Sequence, residues 1–156
     1  MNIPPSQSPA PDTLRVFVYG TLKPGGRYYN ELCKGHTVKE TPAMVMGKLF
    51  LLKPGYPGLT TGEDWVAGWV LEFVDHEILQ KLDMLEGYDP ARAAAGNEYD
   101  RVLVPVYSRP RQQMGEAWLY RMSLEKVAEL EGVYLPEAIW RESKVNWALL
   151  EKRVGE

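Results

Sequence analysis

The 156-residue chain has one cysteine, Cys33, and two histidines, His36 and His76. A lone cysteine excludes an intrachain disulfide and suits a reducing compartment, so a cytoplasmic location is expected. So few soft ligands leave no basis for a zinc site, and no metal is expected. No apolar run approaches the ~20 residues that cross a bilayer, so no membrane span is expected. Positive charge is not in excess either. Eighteen Lys and Arg stand against 21 Asp and Glu, a net charge of −3, which argues against nucleic acid as the main partner. The one basic run, Arg109-Pro110-Arg111, is too short to alter that. The opening MNIPPSQSPAPDT lacks both a cationic start and an apolar stretch. It reads as a flexible Pro-rich segment over residues 1–13, not as a secretory signal.

What is present fits one globular domain: 45% apolar and 25% charged residues, over a length sufficient for a single core. Strand character is found in Leu14–Tyr19, Ala43–Leu52, Trp65–Val74, Tyr99–Tyr107 and Glu116–Tyr120. Between the second and third lies a Gly- and Pro-rich loop around Tyr56-Pro57-Gly58. Helical spacing predicts a short helix at Tyr28–Cys33, a better one over 75–86 with Asp75 as N-cap and Gly87 as stop, and helices at Leu124–Leu130 and Glu137–Leu150. Without internal repeats or βαβ alternation, a doubly wound sheet is not expected; an α+β fold with a mixed, barrel-like sheet is. The gap Asp89–Asn97 is expected to be a mobile loop beside the end of the middle helix.

Two features invite a chemical reading. The first is VFVYGTLKPGG, residues 16–26, where a strand runs into a glycine-rich turn. Gly20 and Gly25 meet a G-x-x-x-x-G spacing, but Gly26-Arg27 stands where a phosphate loop needs Lys and then Ser or Thr, so that mechanism is lost. Two readings remain. The glycines could simply build a tight turn, or the amides of Gly20, Thr21 and Leu22 could converge on a carboxylate or carbonyl oxygen.

The second is Glu86. It follows Leu79 by seven residues and Leu82 by four, which puts an acid on the apolar face of helix 75–86. Desolvation and the negative end of the helix dipole would both favour its protonated form, which suits a group that accepts and returns protons. The alternatives are an ion pair with Arg101 or another cation, or a helix end reaching solvent. Asp83 and Glu72 are expected to face water. Tyr99 and Tyr120 could offer hydroxyls to a pocket or simply pack.

VYGTLKPG after a first strand, a helix ending LDMLEGYDP, and then EYDRVLVPVY together resemble the γ-glutamylcyclotransferase-like (AIG2-like) family, over residues 14–121. The resemblance implies a small mixed β-barrel flanked by helices. Residues 122–156 lie outside it and are expected, from their own helical spacing, to form a helical C-terminal extension packed on or beside that domain. The resemblance further implies that the Tyr19, Gly20, Thr21 and Leu22 loop holds a γ-glutamyl substrate while Glu86 carries protons. The implied reaction needs no cofactor: the substrate cyclises to 5-oxoproline and releases an amine. A cavity that binds a small acidic metabolite without turnover, or one in which Glu86 activates water for hydrolysis, stays open. The residues do not specify an oligomeric state.

Overall fold

The computed structural model describes residues 13–24, 26–92 and 96–140. Strand β1, Leu14–Val18, buries side chains on both faces, as a central strand must. Leu14, Val16 and Val18 face one apolar cluster, whereas Phe17 and the following Tyr19 face another. β1 pairs antiparallel with β3 (Pro57–Phe73), from Leu14↔Phe73 to Val18↔Trp69, and parallel with β5 (Gln113–Arg121) at Val16↔Trp118. β5 forms a hairpin with β4 (Asp100–Tyr107), and β4 meets β2 (Thr37–Leu51) at Met44↔Tyr107. A two-residue β6, Val133–Tyr134, borders β2. The sheet order is β3-β1-β5-β4-β2-β6, and β2 also pairs with β3, so the sheet curls into a barrel-like ring. Phe17, Val45, Leu49, Val66, Val106 and Leu119 come from all five long strands and fill that ring. The fold is α+β, with three helices among the described residues.

Helix α1, Arg27–Leu32, follows the glycine turn, and α2, Ile78–Leu85, covers the outer face of β1. Ile78 and Leu82 are buried there with Val16 and Val18. Asp75 does not cap α2, which starts three residues later. Its carboxylate instead accepts from the Glu77 amide at 2.9 Å and shapes the turn leading into the helix. Gly87, with φ +63°, ends the helix as expected.

Two strands run further than their sequence suggests. The stretch around Pro57-Gly58 is strand, not loop, because Pro57–Thr60 pair with Lys48–Leu51 across an irregularity after Gly47. The Asp89–Asn97 gap is pinned at its far end. Asn97 is buried, its side chain accepts from the Asp89 amide at 3.0 Å, and the Glu98 amide donates to the Gly87 carbonyl at 3.1 Å. Helix α3, Leu124–Glu129, is capped by Ser123, whose hydroxyl accepts from the Lys126 amide. No helix starts at Glu137: Ala138 takes φ +56°, its carbonyl accepts from the Ala67 amide, and Ala138 and Trp140 join the cluster inside the ring. Residues 141–150 of the expected helix, residues 1–12 of the Pro-rich segment and Ala93–Ala95 lie outside the described residues.

Cys33 closes α1 and is fully buried. Burial, and after it the charge of Glu40, pushes its thiol up to about 12. Only the thiolate alkylates, so the native protein should resist iodoacetamide at mildly alkaline pH and react only once denatured. Mass spectrometry after timed labelling reads this; fast native labelling would mean that α1 is not seated as described.

Candidate active site

A cleft with about 400 Å³ of empty space, continuous with solvent, opens where the end of β1 passes the end of α2. One wall is the run Phe17–Leu22, and Glu86 stands in the same cleft, with Tyr56, Pro57, Tyr99 and Tyr120 completing it. The two features singled out in the sequence, 64 residues apart, thus meet in one place.

The turn is held by its carbonyls. The Gly20 carbonyl accepts from the Lys23 amide at 3.0 Å, and the Thr21 carbonyl accepts from the amides of Tyr28 and Tyr29 at the start of α1. Gly26 is needed for that compactness, since a Cβ there would lie 2.5 Å from the Thr21 carbonyl oxygen. Among the described residues, no backbone carbonyl accepts from the amides of Gly20, Thr21 or Leu22. Three successive N–H groups that take no backbone acceptor among the described residues are the kind of group that can bind an oxygen. The side chains of the loop are otherwise engaged. Leu22 is in the core cluster beneath α2, and the Tyr19 hydroxyl donates to the Tyr120 carbonyl at 2.6 Å, tying β1 to β5.

Glu86 is half-buried at the C-cap of α2, where its amide donates to the Leu82 carbonyl. It sits there because Leu82, four residues earlier, faces the sheet and carries the helix end towards the cleft. Arg101 forms its ion pair with Asp83, at 2.6 Å. Asp83 is not solvated as expected: it also accepts from the Tyr120 hydroxyl at 2.6 Å. Arg101 lies between the rings of Tyr88 and Trp118, at 5.2 and 4.9 Å from their centroids. Burial above all, then the bond to Asp83 and the charges of Asp83 and Glu86, hold the Tyr120 phenol far above its ordinary range, against an opposing effect of Arg101. Tyr120 thus donates to Asp83 at the edge of the cleft. Tyr99 is likewise spent on structure, donating to the Pro57 carbonyl at 2.5 Å. Glu72, expected to face water, is buried and accepts from the Thr13 hydroxyl, in register with Arg15 on one neighbouring strand and Lys39 on the other.

The sequence reading missed the Asp83–Tyr120–Arg101 group as a unit. Arg101 and Tyr120 are directly paired across the β4–β5 hairpin, so they share a face, but only the strand register reveals it. Asp83→Asn would leave the part-buried Arg101 without its counter-charge. Loss of one partner of a buried pair costs roughly 3–5 kcal/mol, and the partial exposure here lowers the expectation to roughly 2–3 kcal/mol. Urea unfolding measures it; an unchanged midpoint would remove this group from the structural framework of the cleft.

Among the described residues, no group of three or more His, Cys, Asp or Glu side chains could hold a metal ion, and no helix is long and apolar enough to cross a membrane. The ring-like mixed sheet brings one acid and a glycine turn to the wall of the same solvent-open cleft. The sequence pattern of the family "Gamma-glutamyl cyclotransferase, AIG2-like" matches residues 16–142, and the chain belongs to that family. It is similar to the gamma-L-glutamyl-butirosin B gamma-glutamyl cyclotransferase of Niallia circulans, 32% identical over 105 residues, which are 67% of this chain and 65% of that protein. The matched stretch thus spans under two thirds of that relative's length. In fold it is similar to YkqA from Bacillus subtilis (TM-score 0.58, 21% identity, 82% of this chain and 39% of that one). It is likewise similar to an AIG2-like protein from Mus musculus (TM-score 0.56, 19% identity, 83% and 86%).

Proposed function

We propose that the chain is a γ-glutamyl cyclotransferase acting on a small γ-glutamyl amine or peptide, with Glu86 as the proton carrier and the Tyr19–Leu22 loop as the substrate cradle. The observation that carries this is the shared cleft: Glu86 lines it together with Gly20, Thr21 and Leu22, whose amides no backbone carbonyl among the described residues takes up. Family membership and the named activity of the Niallia circulans relative support it.

The chemistry asks little of the protein. The α-amino nitrogen of the substrate attacks its own γ-carbonyl carbon, forming the lactam C–N bond. The amide C–N bond to the departing amine then breaks. Glu86 takes a proton from the α-amino group and passes one to the departing nitrogen, so the carboxylate ends as it began. The loop amides bind the substrate carboxylate or steady the oxyanion that develops on the γ-oxygen. Folding the substrate into a near-attack shape supplies much of the acceleration, and well-oriented intramolecular reactions gain up to roughly 7–11 kcal/mol. Both steps are acyl exchange and proton transfer within one molecule, so the reaction calls for no metal or redox group. Such a metabolic role suits the cytoplasm and requires neither nucleic acid nor membrane.

Incubation with a panel of γ-glutamyl amines and dipeptides, read by mass spectrometry, tests the reading. The expected products are 5-oxoproline and the free amine in equal amounts. Free glutamate would replace cyclisation with hydrolysis, and saturable binding with no product would make the cleft a metabolite sensor.

A further inference from the structure

Beside the cleft, and separate from it, runs a second groove with about 970 Å³ of space open to solvent. Its floor is the β2–β3 pairing at Pro42↔Trp69 and Met44↔Ala67, and Ile139 borders it. Lys23, Arg109 and Arg111 line it, and among the described residues no acidic side chain does. In a chain of net charge −3, three cations around one apolar floor form a local reversal of sign.

One of the two arginines, Arg111, is placed at some structural cost. Arg111 adopts φ +65° at the tip of the β4–β5 hairpin, a backbone region that side-chain-bearing residues rarely occupy. The turn is closed by the Arg111 amide donating to the Ser108 carbonyl and the Ser108 amide donating to the Gln112 carbonyl. Glycine would serve that turn better, so its backbone alone gives no reason for an arginine there. What the arginine adds is a guanidinium held 5.0 Å over the Trp65 ring, itself braced edge-on by Tyr107. Lys23 is the residue immediately after the cradle. It turns away from the cleft and places its ammonium on the Trp140 carbonyl, at 2.7 Å. A stacked guanidinium loses little further freedom when an anion arrives, which favours binding.

We propose that this groove is a second ligand site, for a small organic anion: a carboxylate or phosphate held by Arg109, Arg111 and Lys23, with an apolar body lying on Trp69 and Met44. It takes a different ligand from the cleft and does not depend on the proposed reaction. Through Lys23 it touches the same loop that bears the cradle.

Calorimetry on the full chain tests this with three probes of one shape: phenyl phosphate, phenylacetate and phenol. Both anions should bind saturably, more weakly at about 0.3 M salt than at low salt, while phenol should not. Whichever anion binds more tightly identifies the head group. Arg111→Gly suits the left-handed turn and keeps the hairpin. Combined with Arg109→Gln, it should weaken anion binding at least about tenfold. Arg109→Gln alone, at an exposed position, should weaken it several-fold with an unchanged unfolding midpoint. Phenol binding as tightly as the anions, no saturable anion binding to the parent, or equal binding to the double variant would each overturn the proposal.

Discussion

Glu86→Gln is expected to lower turnover of a γ-glutamyl amide by roughly 10²–10⁴-fold, the range that a positioned acid–base group contributes. Glutamine keeps the length and shape of the side chain but cannot carry a proton between two nitrogens. Binding of substrate should persist, because the proposed cradle donors are backbone groups of Gly20, Thr21 and Leu22 and are untouched. The midpoint of unfolding should move little, since Glu86 is half-buried at a helix end and its backbone bond to Leu82 remains. The decisive comparison is kcat against KM. A fall in kcat at constant KM assigns Glu86 to the transition state, and activity within threefold of the parent would take the proton-carrier role away from it.

Gly20→Val should remove both binding and turnover by occupying the cradle. A Cβ on Gly20 would sit 2.9 Å from the Pro57 Cγ and 3.2 Å from its Cδ, before the two further methyl groups of valine are counted. Pro57 lines the same cleft and begins β3, so it can yield only by moving the strand end. The overpacking is expected to cost about 1–3 kcal/mol of stability in addition to the lost function. Gly20→Ala together with Pro57→Ala separates the two effects, because it relieves the clash with the proline ring and leaves the loop amides in place. The pair should recover stability and a large part of substrate binding. A Gly20→Val protein that folds and binds a γ-glutamyl ligand like the parent would reduce the turn to a purely architectural feature.

Residues whose neighbours lie close along the chain were the readable ones. β1, α2 and the stop at Gly87 follow from local periodicity and from the one residue type that favours a positive φ. Glu86 stood out because an acid had entered an apolar period. Segments that depend on distant partners read poorly. Pro57–Thr60 has the composition of a turn, yet it is strand because β2 offers backbone partners there. Glu137 and its neighbours have helical composition, yet the chain turns at Ala138 to place Trp140 in the ring. Asp83 looked like a solvated helix residue until the hairpin carrying Arg101 and Tyr120 was folded against it.

Local pattern was enough for the elements with strong periods, for the acid placed against one of them, and for a glycine turn that could bind an oxygen. It took the folded chain to bring acid and turn into one cleft, the Tyr120 hydroxyl onto Asp83, and Lys23, Arg109 and Arg111 around a second groove. The physical reason is range. A helix or a turn is settled by hydrogen bonds between residues a few positions apart, whereas a site is settled by strand register and packing between segments many tens of residues apart, which no local pattern encodes.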